Sequence, residues 1–425
     1  MGKRLLFITT RLFWPADSGR KVSLYYYCQG LQLKYGYDVY VYSFLEHGQS
    51  NNLLAEKPNF IKRVEVAAKI SQIDKMKNLF IKSIFTMQWP LQCSLFYNEA
   101  NKVKINKYIK EIKPDTVIVD MVRLAPYYEG FTNEKCLKVL DMDDLLSKRY
   151  ERQLSSNTNA SITGQYSANM SGLVNKIIGT KIIKNIILKF EQYLMQKAER
   201  YYGRLYDKVL FVSQKECDIL NTYIGDKAVS VPMGIDVKEF RNCRYNPRNE
   251  NRLCFVGNMA VAANVDTLHM IVNEILPKIK AKVTLLVIGK CPVYLKELYK
   301  EHKEIVFTGR VDVIYDYAKE CDLFLAPIAY GSGIKTKILE AMAMQLPVIT
   351  NSVGAEGLDM VNGEHYIVED DCAKIAEQVD YYLEHKDKAA LMAERGQQLV
   401  FDKYDWNKIW NKFEEILPST GEKLK

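Results

Sequence analysis

The sequence predicts an α/β fold of two doubly wound domains that face each other across a cleft. Three observations predict it. The chain has 425 residues, too many for one ordinary core and a good fit to two domains. Short apolar runs alternate with helical stretches, the pattern of βαβ units in a parallel sheet. The pattern comes in two blocks, divided near residue 235 by "SVPMGIDVKEF" and the polar, proline-containing "RNCRYNPRNEN".

In the first block Arg4–Thr10 reads as a strand. A loop with Pro15 and Gly19 follows, then a helix from about Arg20 to Tyr35 and a strand at Val39–Phe44. Further strands are expected at Thr116–Asp120, Leu137–Asp141 and Val209–Val212. The second block opens with Arg252–Gly257 and continues with Val283–Ile288, Ile305–Phe307, Leu323–Ala326, Val348–Thr350 and Tyr366–Val368. The expected divisions are 1–235, 236–405 and a terminal helix in 406–425, where Trp406, Trp410 and Phe413 stand at helical spacing and read as aromatic packing. In sheets of this kind ligands bind beyond the carboxyl ends of the strands.

Composition narrows the function. With 48% hydrophobic and 26% charged residues the chain reads as folded and soluble. A net charge of +8 suits an anionic ligand or an anionic membrane surface. Its basic residues are dispersed and no aromatic–basic strand motif occurs, so no nucleic acid is expected as a partner. Nine cysteines, scattered from Cys28 to Cys372 without a Cys-x-x-Cys pair, suit reduced thiols in a cytosol. None of the five histidines has metal-like spacing, and no metal site is expected. "MGKRLLFITTRLFWP" lacks a small-residue cleavage site and reads as a first strand, not a signal peptide. No run approaches the roughly 18 apolar residues of a spanning helix.

Two segments are less regular. Lys69–Phe85 mixes lysines with large apolar residues. Ser155–Gly172 is polar and reads as flexible, and "LVNKIIGTKIIKNIILKFEQYLMQKAERYY" then interleaves apolar residues with lysines. Two readings stand. One is a basic amphipathic surface for an anionic membrane or a lipid-linked acceptor. The other is solvated helices packed on the first domain.

The chemistry concentrates in "GSGIKTKILEAMAMQLPVITNSVGAEGL" (331–358). A buried-type strand ends near Pro327, and Ile334–Met344 has helical core spacing. Gly331, Ser332 and Gly333, followed by Ile334, therefore sit at a helix N-terminus. Free N–H groups and the helix dipole favour an anion there, the dipole contributing roughly 0.3–1 kcal/mol. Lys335 in the first turn meets the positive end of the dipole, a conflict that a bound diphosphate would resolve. Glu340 lies deep in the helix beside apolar neighbours and needs partners. A ribose offers two hydroxyls, each worth roughly 1.5–3 kcal/mol to a carboxylate. In the first domain "LDMDDLLSKRYERQ" (140–153) places Asp143, Asp144 and Arg149 just past a strand end, and Asp120 and Arg123 follow another. Such carboxylates could orient or deprotonate an acceptor hydroxyl. Asp143 also reads as a helix N-cap, and the two roles are compatible.

Taken together, "FVGNM" (255–259), "FTGRV" (307–311), "CDLFLAPIAYGSGIKTKILEAMAMQLPVIT" (321–350) and "VGAEGL" (353–358) resemble the donor half of family 4 GT-B glycosyltransferases. "PADSGRK" (15–21) resembles a subgroup with P-x-D-S-G-G-R near its start. The resemblance is strongest over about 250–360. It implies two Rossmann-like domains and a last helix that packs back on the first. It also implies transfer of a sugar, of hexosyl type, from a nucleoside diphosphate to an acceptor hydroxyl, with retention and without a bound cofactor or metal. Glu340 would hold the donor ribose and Lys335 the diphosphate. Gly309, Arg310 and Val311 would line the base pocket, and Gly19 would face the donor phosphate. Two positions depart from the family pattern. Ser332 stands where a first glutamate is usual, and Asn258 where an arginine is common. Asn258 and Asn264 look like the subgroup's own pattern. No carboxylate nucleophile is evident, which points to front-face displacement with the donor phosphate as base. The implied setting is synthesis of a cell-surface polysaccharide or lipid-linked glycan, in the cytoplasm or peripherally on the inner face of the plasma membrane. A nucleotide-sugar epimerase of the same fold and a non-catalytic partner subunit are the competing readings. Ser332 keeps the second alive, and donor turnover without a partner would exclude it.

Overall fold

Short runs of β-branched and large apolar residues favour strands because such side chains fit a sheet covered on both faces. The computed structural model describes residues 2–16, 19–46, 48–132, 134–155, 181–248, 250–331 and 333–417. Among them the strands form two parallel sheets, one in each of two compact units.

The first unit comprises Met1–Val231 and the segment from Trp410 onward. Its strands are β1 (Arg4–Thr9), β2 (Asp38–Ser43), β3 (Ile61–Val66), β4 (Thr116–Asp120), β5 (Leu137–Asp143), β6 (Lys208–Phe211) and β7 (Ala228–Ser230). Their spatial order is β3-β2-β1-β4-β5-β6-β7. Arg4 pairs with Asp38 on one side of β1 and Leu5 with Thr116 on the other, so the winding reverses between β1 and β4. The flanking helices are α1 (Gly19–Tyr35), α2 (Gln72–Asn78), α3 (Leu91–Phe96), α4 (Glu99–Ile112), α5 (Leu146–Ser155), α6 (Lys181–Leu205) and α7 (Gln214–Ile224). Leu6, Ile8, Val117, Val119 and Leu140 from the sheet pack with Tyr127 and Tyr206 in the core. The polar stretch anticipated after Ser155 lies outside the described residues.

Two strands were not anticipated. In β3, "IKRVEV" exposes Lys62 and Arg63, and β7 has only three residues. Both are edge strands, where polar side chains are favoured and the apolar signal weakens. The α5 expectation also needs correction. Asp143 does not cap this helix; it ends β5. The N–H of Leu145 is instead accepted by Glu216 of α7 at 3.1 Å, and that of Ser147 by Glu199 of α6 at 3.0 Å. Long-range carboxylates have taken the place of a local cap.

The chain's last described turns fill a groove against α1. Trp410 donates its indole N–H to the Tyr26 carbonyl at 2.8 Å, and Tyr35 donates its hydroxyl to the Trp410 carbonyl at 2.7 Å. Gly30 permits this approach, since a Cβ there would lie 2.2 Å from the Trp410 ring. Alanine in mid-helix normally adds about 1 kcal/mol of stability over glycine. Gly30→Ala should do the opposite, costing roughly 1–3 kcal/mol through overpacking. A melting temperature lowered by several degrees, with faster proteolysis of the terminal segment, is the expected result. A raised melting temperature would refute the contact.

The second unit spans Pro232–Ile409. Its strands are β8 (Arg252–Val256), β9 (Thr284–Ile288), β10 (Ile305–Gly309), β11 (Leu323–Ala326), β12 (Val348–Thr350) and β13 (Ile367–Val368), ordered β10-β9-β8-β11-β12-β13. The winding reverses between β8 and β11. The helices that matter here are α8 (Ala262–Met270), α9 (Thr336–Ala343), α10 (Cys372–Glu384) and α11 (Lys386–Lys403). Phe255, Leu285 and Phe324 of the sheet are fully buried, as are Ile338 and Leu339 of α9. Trp406 is buried in this unit, its N–H donated to the Ile235 carbonyl.

Candidate functional site

In the second unit the segment from β11 to α9 forms a loop at the carboxyl edge of the sheet. Asn351, just past β12, holds its base. The buried Asn351 amide accepts the N–H groups of Ile328 and Gly354, each at 3.0 Å, and donates to the Ile328 carbonyl at 2.9 Å. One side chain thus ties this loop to "SVGAEGL". Thr267 of α8 adds a second anchor, accepting the Ala329 N–H at 3.0 Å. Gly331 and Gly333 flank Ser332, which lies outside the described residues. Gly333 has φ +67°, a conformation that glycine adopts at little cost. Ile334 is buried.

Lys335 does not stand in the first turn. The helix begins at Thr336, with Lys335 as the residue before it. Its ammonium bends back to donate to the Gly333 carbonyl at 2.6 Å and lies 3.9 Å from the Glu356 carboxylate. The conflict with the helix dipole is thereby relieved without a ligand.

Glu340 and Lys337 form the electrostatic centre of α9. Burial pushes the Glu340 carboxyl up to about 7; Lys337 opposes that shift and Glu239 adds to it. Burial lowers Lys337 to about 8, with Glu340 opposing and Lys335 assisting. The Lys337 ammonium donates to the Asn264 side chain at 2.5 Å and lies 4.9 Å from the centre of the Phe255 ring. Asn264 in turn donates to the Asn258 carbonyl at 2.9 Å, and the Asn258 side chain accepts the Ala260 N–H at 3.0 Å. A polar chain therefore runs from Asn258 through Asn264 to Lys337. Gly309 ends β10 with φ +74°, Arg310 after it is exposed, and Val311 is half-buried.

In the first unit three carboxylates converge on one cation. Asp120 ends β4, and Asp141 and Asp143 end β5. The buried Arg20 guanidinium lies 2.6, 2.9 and 3.2 Å from them, respectively. Thr10, just past β1, donates its N–H and hydroxyl to Asp120 at 3.0 and 2.6 Å. These partners hold Asp120 below its usual value against its burial, while burial pushes Asp141 up to about 6. Asp143 is raised as well, chiefly by burial. Its backbone is strained, with φ +66°, and so is Met121 after β4, with φ +67°. Non-glycine residues held in this region concentrate at functional sites.

The other first-domain candidates are arranged differently. Asp144 pairs with Arg149. Arg123 is buried and lies 5.5 Å from the centre of the Phe96 ring. Gly19 opens α1, one residue before Arg20, while Asp17 and Ser18 of the same motif lie outside the described residues. Among the residues that sequence reasoning missed are Arg20, Asp141, Lys337 and Asn351. For Arg20 and Lys337 a signal existed. One lies inside "PADSGRK" and the other three residues before Glu340. For Asn351, a polar residue closing an apolar strand, there was little.

Comparison with known proteins bears on the fold and on residues 250–385. Residues 250–385 match the family described as "Glycosyl transferases group 1". An uncharacterized 44.6 kDa protein of the cps region of Klebsiella pneumoniae is 24% identical over 243 residues, 54% of this chain and 61% of that protein. TuaC of Bacillus subtilis (strain 168), provisionally named a teichuronic acid biosynthesis glycosyltransferase, is 25% identical over 169 residues, 37% of this chain and 41% of that protein. The chain thus spans less than two thirds of either relative. The crystal structure of Anabaena HepE in complex with UDP superposes with a TM-score of 0.64 at 13% identity, covering 97% of this chain and 98% of that one. The chain has the two Rossmann-like domains of the GT-B fold, and its residues 250–385 match the group 1 glycosyl transferases.

Proposed function

We propose that this chain is a glycosyltransferase of family 4 type, moving a hexosyl unit from a nucleoside-diphosphate sugar to an acceptor hydroxyl in cell-surface glycan synthesis. The observation that carries the reading is the half-buried Lys337 and Glu340 of α9, which shift each other's charge, beside the glycine loop beyond β11 and inside the segment matching group 1. A half-buried carboxylate with a raised affinity for protons gains from two ribose hydroxyls. Lys335, Lys337 and the N–H groups at the start of α9 supply positive charge for a diphosphate leaving group, an electrostatic preorganisation. Gly309, Arg310 and Val311 take the base. The UDP bound by HepE makes a uridine donor the first to test.

In this reading the first unit orients the acceptor, a glycan or lipid-linked sugar, through Asp143, whose side chain keeps 20% exposure, while the fully buried Asp120 holds Arg20 in place. Arg20 occupies all three carboxylates there, which weakens them as nucleophiles and favours front-face displacement with retention. In the same reading the transfer takes place in the cytoplasm or peripherally on the inner face of the plasma membrane. Thermal shift with UDP, GDP, ADP, CMP and their sugars tests the donor assignment. A ligand at roughly 100 times its dissociation constant adds about 2.7 kcal/mol. One base class should raise the melting temperature, and the isolated chain should turn over the matching donor. No shift with any nucleotide, or a shift without turnover even with acceptor present, would count against a transferase.

A further inference from the structure

The segment that runs from α2 into the following turn at Leu79–Phe85 is amphipathic in the wrong direction for water. Two of its uncharged polar side chains, Asn78 and Ser83, point into the protein. Asn78 donates to the carbonyls of Ser94 and Tyr97 at 3.3 and 2.8 Å, and the fully buried Ser83 hydroxyl shares a 2.8 Å hydrogen bond with that of Ser94. Its apolar side chains point out. Ile73 and Phe85 are each 80% exposed, Met76 and Phe80 64%, and Ile84 56%. Residues 73, 76, 80 and 84 recur at three- and four-residue intervals, so they share one face. Apolar side chains gathered in this way mark an interaction surface.

Charge indicates the partner. Within the segment Lys69, Lys75, Lys77 and Lys82 accompany one carboxylate, Asp74, which accepts from Ser71 and Asn98 at 2.9 Å each; the neighbouring Glu99 and Glu129 lie 2.9 and 3.6 Å from the Lys102 ammonium. Lys197 of α6 donates to the Met87 carbonyl at 3.2 Å and so brings α6 beside this face. That helix turns both its glutamates inward. Glu191 accepts the N–H groups of Leu91 and Gln92, and Glu199 that of Ser147. Lys189, Lys197 and Arg204 are left exposed with Tyr193 and Tyr201.

We propose that this face docks on an anionic lipid bilayer. Ile73, Met76, Phe80, Ile84 and Phe85 enter between the headgroups, and the surrounding lysines pair with lipid phosphates. A second copy of the chain is disfavoured as occupant, because it would set one basic surface against another. The proposed attachment is peripheral; no described helix is long and apolar enough to cross a membrane. The surface deepens the transferase reading, which supplies a membrane-borne acceptor, but its test uses neither donor nor acceptor.

The full chain is sedimented with vesicles of phosphatidylcholine alone and with phosphatidylglycerol added. Binding should require the anionic lipid and weaken with salt. F80S/F85S should lower partitioning at least about tenfold, and K75E/K77E about fivefold for each lysine. Both double variants change exposed or half-exposed side chains, so their melting temperatures and nucleotide shifts should match the wild type. The proposal is overturned if the wild type ignores anionic vesicles, or if the variants bind like it. It is equally overturned if light scattering shows a dimer that F80S/F85S abolishes. Failure of the nucleotide panel alone would sink the transferase reading and leave this surface standing.

Discussion

Glu340→Gln is expected to stabilise the ligand-free chain at pH 8 while abolishing its stabilisation by nucleotide. The Glu340 carboxyl is raised from an ordinary value near 4.5 to about 7, mainly by burial. Its favourable contribution is therefore complete below about pH 4.5 and is lost as pH rises through 7. Glutamine carries no charge at any pH. The two proteins should melt alike near pH 4.5 and diverge above it. At about 1.4 kcal/mol per pH unit the shift corresponds to roughly 3 kcal/mol. Losing its neighbour makes the Lys337 charge costlier, so about 2 kcal/mol is the expected net gain. That is a rise of roughly 4–8 °C for a unit of this size. In the same variant two charged hydrogen bonds to the ribose become neutral ones, and affinity should fall about a hundredfold. Calorimetry at pH 4.5 and 8 with nucleotide titrations reads both effects. A variant that is no more stable at pH 8 would show that the carboxylate is not poorly solvated. A retained nucleotide shift would remove Glu340 from the donor site.

Arg20→Met should cost the most stability of any single change in the first unit. Three carboxylates lie within 3.2 Å of the Arg20 guanidinium, and methionine leaves them facing one another in a buried place. Breaking a buried ion pair costs roughly 3–5 kcal/mol, which predicts a melting temperature lower by about 10 °C or more at pH 8. The loss should depend on pH. Without the cation, Asp120, Asp141 and Asp143 bind protons more tightly folded than unfolded, so stability falls as pH rises through their folded values. Much of it should return near pH 5. Arg20→Lys should fall between, because one ammonium lacks the planar fork that spans several carboxylates. A destabilisation of equal size at pH 5 and pH 8 would indicate lost packing, not unbalanced charge.

The glycine loop beyond β11 was legible in the sequence because its chemistry is local. Gly331, Gly333, Lys335 and Glu340 are close along the chain, and Glu340 directly follows the core residues Ile338 and Leu339 in sequence. The same proximity misled at Asp143. An aspartate shortly before a helix fits a cap, but Glu199 and Glu216 reach the N–H groups of α5 from 52 and 71 residues away. Lys335 misled for a related reason, since a one-residue change in where α9 begins moves its charge off the helix.

Local sequence was enough for the alternation of strands and helices, the parallel sheets and the glycine–lysine–glutamate order around the start of α9. Each follows from side-chain periodicity or from backbone preferences that act within a few residues. Only the tertiary structure decided that Arg20 gathers Asp120, Asp141 and Asp143, that Asn351 joins two loops, and that Asn78 and Ser83 turn inward while Phe80 and Phe85 face out. Those outcomes depend on which distant groups meet when the sheets close. A buried charge or hydrogen-bonding group takes its partner from whatever the fold brings within reach, at any distance along the chain.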